Sequence, residues 1–176
     1  MTRIIDVDAH AEPADGWLDA LPELRKRMAT AMSYQAAPMM INAMVYGGVF
    51  ERHPNLTLLI SEFGIDWFDF TVRSLDGRGA VAAPFLGDYN LPMSPAEYVR
   101  RNVRVSPLPS DNQSPLALLA DFPDCLVFSC DYPHVEGNGS PMEHYARVFA
   151  DAELAIRDQF LGGSIADSFA RMGDPI

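Results

Sequence analysis

Acidic and histidine side chains follow short apolar runs at three places in the sequence. Asp131 follows the run LVFSC in the segment LVFSCDYPHVEG, Glu62 follows LTLLIS, and the first ten residues end in DVDAH, which contains Asp8 and His10. Alternate residues of an extended segment face the same side, so Asp8 and His10 can offer a carboxylate oxygen and an imidazole nitrogen to one cation. This mixture of hard oxygen and borderline nitrogen suits a divalent metal ion.

Each of these residues also has a simpler explanation. Asp and His are common after strands because they form turns, and a DxDxH pattern alone is a weak motif. Asp131 can start the turn ahead of the next proline, and Glu62 can cap a following helix. The remaining histidines, His53 and His144, fit solvent-exposed positions in a turn and on a helix. The chemistry therefore depends on whether the fold brings the three acidic segments together.

The elements that must position these residues alternate between strand and helix. Short apolar segments rich in branched residues predict buried strands at 3–7, 56–60, 103–106 and 126–129. Helical spacing of apolar residues predicts helices over 38–50, 66–75 and 114–120, and a helical region from about 141 onward. This alternation predicts an α/β fold with parallel strands. The carboxyl ends of such strands lie at one edge of the sheet, where Asp8, Glu62 and Asp131 would converge.

Glycines and prolines predict the breaks between these elements. Residues 77–95 contain repeated Gly and Pro and are predicted to form a long irregular connection. Gly162 and Gly163 are predicted to end one helix. Ser164 with Asp167 three residues later has the pattern of a capping box that starts the last helix.

Composition limits the classes of partner. A chain of 176 residues that is 48% hydrophobic can bury a sizeable core, which predicts one globular domain over 1–176. The net charge of −11 and scattered basic residues exclude nucleic acid and anionic membranes and favour a small-molecule substrate. No apolar run approaches a membrane span or a secretory signal, so we expect a cytoplasmic location. The two cysteines, Cys125 and Cys130, flank a predicted strand with opposite orientations and are expected to be reduced.

Three blocks of the sequence resemble a known family. IIDVDAHAEPADGW, GGVFERHPNLTLLISEFGIDWF and LVFSCDYPHVEG cover nearly half of the chain. Together they are similar to the amidohydrolase-related family of metal-dependent TIM-barrel enzymes, which includes decarboxylases of the aminocarboxymuconate-semialdehyde and resorcylate type. The resemblance implies a metal-dependent hydrolase or decarboxylase of a small carboxylated or cyclic substrate.

The resemblance also implies a metal site. Asp8 and His10 occupy the ligand positions of the first strand. Asp131 matches the acid after the eighth strand, which binds the metal and exchanges a proton with water or substrate. Glu62 lies after the sixth strand, where many members have a histidine, and is a candidate fourth ligand. Two carboxylates and one imidazole form a hard donor set, so the expected ion is Zn²⁺ or Mn²⁺, or Mg²⁺.

Other residues are implied near this site. His134 and Glu12 match positions at its mouth, where His134 would contribute to catalysis and Glu12 would support the ligands. Cys130, next to Asp131, is a further supporting candidate. On this basis, replacing His134 with alanine is expected to leave metal binding largely intact.

The chain departs from the family pattern in its middle. It passes from the first-strand block directly to the block of the sixth strand, with the join between Leu24 and Met39. Strands two to five, and the metal-binding histidine of the fifth strand, have no counterpart. We therefore predict an incomplete TIM-type barrel of about four parallel strands with outer helices. Its open sheet edges favour a homo-oligomer, and the alternative function is that of an inactive remnant acting as an oligomer-forming or interaction module.

Overall fold

A computed structural model of the chain describes residues 5–6, 35–82, 91–108, 111, 113–131, 134 and 137–175. The strands in these ranges are β1 (Ile5–Asp6), β2 (Leu58–Ile60) and β3 (Val103–Val105). The helices are α1 (35–46), α2 (Val49–Arg52), α3 (Phe68–Ala82), α4 (Pro95–Asn102), α5 (Pro115–Asp121), α6 (Pro141–Val148), α7 (Leu154–Asp158) and α8 (Ser164–Met172). None of these described helices is long and apolar enough to cross a membrane.

The three strands form one parallel sheet in the order β1-β2-β3. Ile5 pairs with Leu58 of β2, and Leu58 pairs with Val103 of β3. The fourth predicted strand is reduced, within the described residues, to a single parallel bridge between Val105 and Leu126. Parallel strands alternating with helices confirm the predicted α/β class, whereas the count of four strands stays a prediction.

One face of the sheet packs on helices and forms the core. Leu58, Ile60, Val103 and Val105 alternate along β2 and β3 and are at most 3% exposed. They join apolar side chains of α1, α3, α4 and α5 in one cluster. Burial of such branched side chains contributes about 1.5–3 kcal/mol each. The sequence pattern of short buried strands therefore corresponds to the real core.

The opposite face of the sheet is covered by the C-terminal segment. Arg104, paired in register with the half-buried Leu59, is only 3% exposed. Its Nε donates to the Ser164 carbonyl of α8, and burial lowers the pKa of its guanidinium. Arg171 of α8 also donates to the Thr57 hydroxyl. Helices therefore lie on both faces of the sheet, and not only on the outer face as predicted.

Helix α3 is longer than the sequence predicted. It continues through Gly77 and Gly79 to Ala82, so the first part of the predicted irregular connection over 77–95 is helical. The hydroxyl of Tyr46 donates to the Leu75 carbonyl and lies against Gly79, where a side chain would crowd it. Close packing by Tyr46 thus explains a glycine that the sequence analysis took as a helix break. Residues 83–90 lie outside the described part.

The C-terminal helices are continuous, which corrects a second prediction. Gly162 and Gly163 do not end a helix, because Gln159–Gly163 form a π-helical turn that leads directly into α8. Gly163 has helical φ and ψ of −58° and −50°, and the Ser164 hydroxyl has no hydrogen-bond partner among the described residues. A capping box is present at α4, where Ser94 and Glu97 exchange side-chain and backbone hydrogen bonds.

Candidate metal centre

The candidate site lies after the carboxyl ends of the sheet segments, where the parallel topology gathers side chains from distant parts of the chain. Glu62 follows β2 by two residues, and Asp131 follows the bridge residue Leu126 by five positions. Both segments flank β3, since β2 and Leu126 pair with its two sides. The sheet thereby brings two acids that are distant in sequence to the same edge.

The backbone is in the left-handed region at both acids. Glu62 has a φ of 66° and Asp131 a φ of 50°, and within the described residues only these two non-glycine positions have positive φ. This conformation costs roughly 1–2 kcal/mol for a residue with a side chain. Residues keep such a strained conformation only where the surrounding contacts hold them in it, and they cluster at functional sites. Both strained positions coincide with the two candidate acids.

Short distances join the acids to a histidine. His134 Nδ1 lies 3.3 Å from Asp131 Oδ1 and 3.9 Å from Glu62 Oε1. One ligand atom from each of the three residues falls within 4.8 Å of the other two. The side chain of Asp131 is 6% exposed, whereas those of Glu62 and His134 are about half exposed, at 49% and 56%. The cluster therefore has one buried acid and two groups open to solvent.

Backbone hydrogen bonds join the described residues of the loop after Asp131. The His134 amide donates to the Asp131 carbonyl, and the Gly137 amide donates to the His134 carbonyl. The Asn138 amide then closes the loop by donating to the Cys130 carbonyl over 2.8 Å. These backbone hydrogen bonds tie His134 to the chain on both sides of Asp131.

A third acid, Asp111, fixes the loop that carries Glu62. Its two carboxylate oxygens accept the amides of Ile65 and Leu108, which ties the loop after β2 to the loop after β3. Gly64 has a φ of 62°, and a side chain there would lie against the Asp111 carboxylate. Burial raises the pKa of Asp111 despite the two amide donors. The sequence analysis missed Asp111, although its position just after β3 is the signal that could have indicated it.

The other predicted site residues fall into two groups. Asp8, His10 and Glu12 lie outside the described residues, and their roles stay predictions. Cys130 is half-buried, with a free thiol, and contributes its carbonyl to the loop beside Asp131. Cys125 is buried and likewise free, and burial raises the pKa of its thiol to about 12. No disulfide joins the two cysteines.

The donor set of the cluster fits a divalent cation. Two carboxylates and one imidazole offer hard and borderline donors of the kind that Zn²⁺, Mn²⁺ and Mg²⁺ accept. The Asp131 Oδ2 is buried and has no hydrogen-bond partner in the part of the chain that the structure describes. A buried carboxylate oxygen without a partner is costly unless it is paired or binds a metal. This unpaired oxygen is the feature that favours a cation at this position.

A comparison with protein-family models decides the family. The model of the amidohydrolase family matches residues 7–167, which include every residue of the cluster. The chain belongs to the amidohydrolase family. No curated protein sequence matches it.

Two solved structures show the same fold as this amidohydrolase chain. An amidohydrolase from Mycobacterium avium subsp. paratuberculosis K-10 has 23% sequence identity and a TM-score of 0.67 over 81% of this chain. The 5-carboxyvanillate decarboxylase from Sphingomonas paucimobilis also has 23% identity, with a TM-score of 0.61 over 77% of this chain. The chain spans only 35% and 39% of the lengths of these two structures. Its fold is thus shared with part of a TIM-barrel amidohydrolase.

Proposed function

We propose that the chain is a metal-dependent hydrolase or decarboxylase of a small carboxylated or cyclic substrate. The observation that carries this proposal is the meeting of Glu62, Asp131 and His134 within 4.8 Å after the carboxyl ends of the sheet. Membership of the amidohydrolase family supports it independently. Glu62 and Asp131 belong to separate sheet segments, so the cluster needs the folded chain and does not arise from sequence proximity.

Glu62, Asp131 and His134 would hold the cation, with Asp8 and His10 as further ligands. His134 enters this set because its Nδ1 lies as close to the acids as ligand atoms of one site do. That assignment replaces the expectation that His134 lies outside the ligand set. A bound divalent ion would lower the pKa of a water molecule or polarise a substrate oxygen.

The chain's own groups suit proton transfer beside such an ion. Asp131 is the most buried of the three residues, and its backbone lies in the left-handed region. One oxygen of this carboxylate would hold the ion, and the other would accept a proton from water or return one to the substrate. Glu62 and His134 are half exposed and form the side from which a substrate would enter. Hydrolysis and decarboxylation both use these roles.

The second candidate is an inactive remnant that acts as an oligomer-forming or interaction module. Its supporting observation is that the chain spans little more than a third of the solved amidohydrolases it matches. Under this alternative the acid cluster is inherited but binds no ion with useful affinity, and association would occur through the edges of the sheet.

Metal analysis with a thermal shift separates the two candidates. The enzyme proposal expects about one Mn²⁺ or Zn²⁺ per chain and an increase in melting temperature, because an ion at a hundred times its Kd adds about 2.7 kcal/mol of stability. Release of CO₂ or of hydrolysis products from a panel of small carboxylated and cyclic compounds should then be metal-dependent. Asp131→Asn should remove both effects, and Asp151→Asn, at an exposed acid in another loop, should remove neither. A chain that neither retains metal nor gains stability from it would support the remnant.

A further inference from the structure

A groove of about 450 Å³ lies in the C-terminal part of the chain, between α6 and the segment formed by α7 and the π-helical turn. The side chains that α6 presents to it recur at intervals of three and four residues, which places them on one face of the helix. Residues that line the groove include Met142, Tyr145, Ala146 and Phe149 on one side and Arg157 and Leu161 on the other. The described lining residues do not include Glu62, Asp131 or His134, so the groove is a second site beside the candidate metal centre.

The base of the groove is aromatic, and its edges carry exposed apolar side chains. Tyr145 and Phe149 are each 3% exposed and pack on the Phe160 ring, with centroid distances of 4.8 and 4.9 Å. Met142 on one wall is 60% exposed, and Leu154, at the start of the opposite helix α7, is 64% exposed. Large apolar side chains that stay exposed around a concave surface mark interaction sites. The groove therefore offers an apolar ligand both a base and two edges.

Arg157 gives this groove a positive charge. Its side chain is 43% exposed, and its ion pair among the described residues joins Nε to the neighbouring Asp158 over 3.6 Å. Exposed pairs of this kind contribute little free energy, and a guanidinium has five N–H donors, so donors remain for a second acceptor. Arginine matches a carboxylate in geometry as well as in charge. A positive group beside an apolar surface is complementary to a ligand that has a carboxylate and an apolar chain.

The wall opposite α6 contains the π-helical turn Gln159–Gly163. Such turns are rare in helices and are frequent at functional sites. Leu161 of this turn lines the groove, and a side chain at Gly162 would meet nothing within 4 Å. The volume of the groove falls within the roughly 300–1,000 Å³ of pockets that bind small molecules. The groove is thus open and large enough for a chain of several carbons.

We infer that the groove binds a monocarboxylic acid with an apolar chain, with the carboxylate on Arg157 and the chain along the apolar face of α6. The chain would cover the exposed Met142 and contact the aromatic base at Tyr145 and Phe149. Because the groove is formed by the C-terminal helices alone, this binding does not rest on the proposed function.

Titrations of the full chain with eight-carbon probes test this assignment. The probes are octanoate, octanol and octylammonium, and EDTA prevents the carboxylate from binding through a metal ion. The readout is the shift of the amide signals of residues 146, 149 and 161 in two-dimensional NMR. Octanoate should bind more tightly than octanol, and octylammonium should bind most weakly. Each CH₂ removed from octanoate should lower the affinity by about two- to fourfold, because that CH₂ is no longer buried.

Three variants separate the charge from the apolar surface. Arg157→Gln should weaken octanoate by about three- to tenfold and leave octanol unchanged, because the change removes a partly exposed charge and keeps most of the side chain. Ala146→Phe should weaken all three probes, since Ala146 is exposed and a larger side chain there fills the groove. Arg147→Gln is the matched control, because Arg147 is an exposed arginine of α6 that does not line the groove, and it should leave every affinity unchanged.

Equal affinity for the three probes, or Arg157→Gln and Arg147→Gln that weaken octanoate equally, would overturn the inference. A wild-type dimer in sedimentation experiments that Ala146→Phe dissociates would also overturn it, because a second copy would then cover the groove. The proposed function is judged separately by metal binding. A chain that binds octanoate but no Mn²⁺ keeps the groove and loses the enzyme, and one with the opposite behaviour does the reverse.

Discussion

Replacing Gly137 with alanine should disturb the loop that joins Asp131 to His134. A Cβ at position 137 would lie against the carbonyl oxygen of Asp131 and 2.8 Å from that of Cys130. Both obstacles are backbone atoms, which cannot rotate away as the tip of a side chain can. Gly139→Ala is a control in the same loop, because a Cβ there meets nothing within 4 Å.

The size of the effect follows from these contacts. Overpacking of this kind costs about 1–3 kcal/mol, so Gly137→Ala should lower the free energy of unfolding by that amount. If the loop shifts to relieve the clash, metal binding has to return it to its wild-type position, at a free-energy cost of the same size. At 1.4 kcal/mol per factor of ten, this lowers the affinity for Mn²⁺ by about fivefold to a hundredfold. Gly139→Ala should be neutral, or should stabilise the protein by about 0.4–1 kcal/mol through its unfolded state.

Urea unfolding of the metal-free proteins and calorimetric titration with Mn²⁺ provide the two measurements. Gly137→Ala should be less stable than the wild type and, where the wild type binds Mn²⁺, should bind the ion more weakly. Gly139→Ala should lose neither stability nor affinity. Equal behaviour of the two variants would show that the backbone contacts at position 137 do not hold the loop, and would refute the reasoning.

Three further predictions concern the scaffold around the site. Asn102→Ala should lower the unfolding free energy by about 2–3 kcal/mol in urea, because the buried amide donates to two backbone carbonyls that would lose their partner; a loss below 0.5 kcal/mol would contradict this. Ser94→Ala should cost about 1 kcal/mol through the capping box with Glu97, and an unchanged urea midpoint would argue against that cap. Because burial raises the folded pKa of Asp111, its carboxyl stabilises the fold most at low pH, and this contribution is lost as the pH rises past the ordinary carboxyl value of about 3.9. The stability of Asp111→Asn relative to wild type should therefore increase between pH 3.5 and 7, and a constant difference would disprove the shift.

The sequence predicted the strand core well and the helix ends poorly. Leu58 and Ile60 are recognisable from sequence because they belong to a continuous apolar run, and Val103 and Val105 because they alternate with Arg104 on one face of a strand. The predicted helix ends were wrong where a glycine allows close packing and does not break the helix, as at Gly79 against Tyr46. Contacts with neighbouring elements decide whether a helix continues through such a glycine, and local helix propensity does not include these contacts.

For the site, sequence reasoning found the residue types but not their distances. Glu62 and Asp131 were predicted to converge because both follow sheet segments, and the structure brings them together. Their left-handed backbone and the approach of His134 depend on turns whose hydrogen bonds no residue pattern indicates. The support of the Glu62 loop by Asp111 is a long-range contact between two loops, which sequence periodicity does not encode.

The most direct test of the metal centre is calorimetric titration of Mn²⁺ into the full chain and three variants. The wild type should bind about one ion, and Asp131→Asn and Glu62→Gln should each weaken binding by at least about tenfold, since even supporting residues of metal sites commonly cost that much. The exposed control Asp151→Asn should bind like the wild type. A wild-type chain without measurable binding, or Asp131→Asn with the same affinity as Asp151→Asn, would contradict the account.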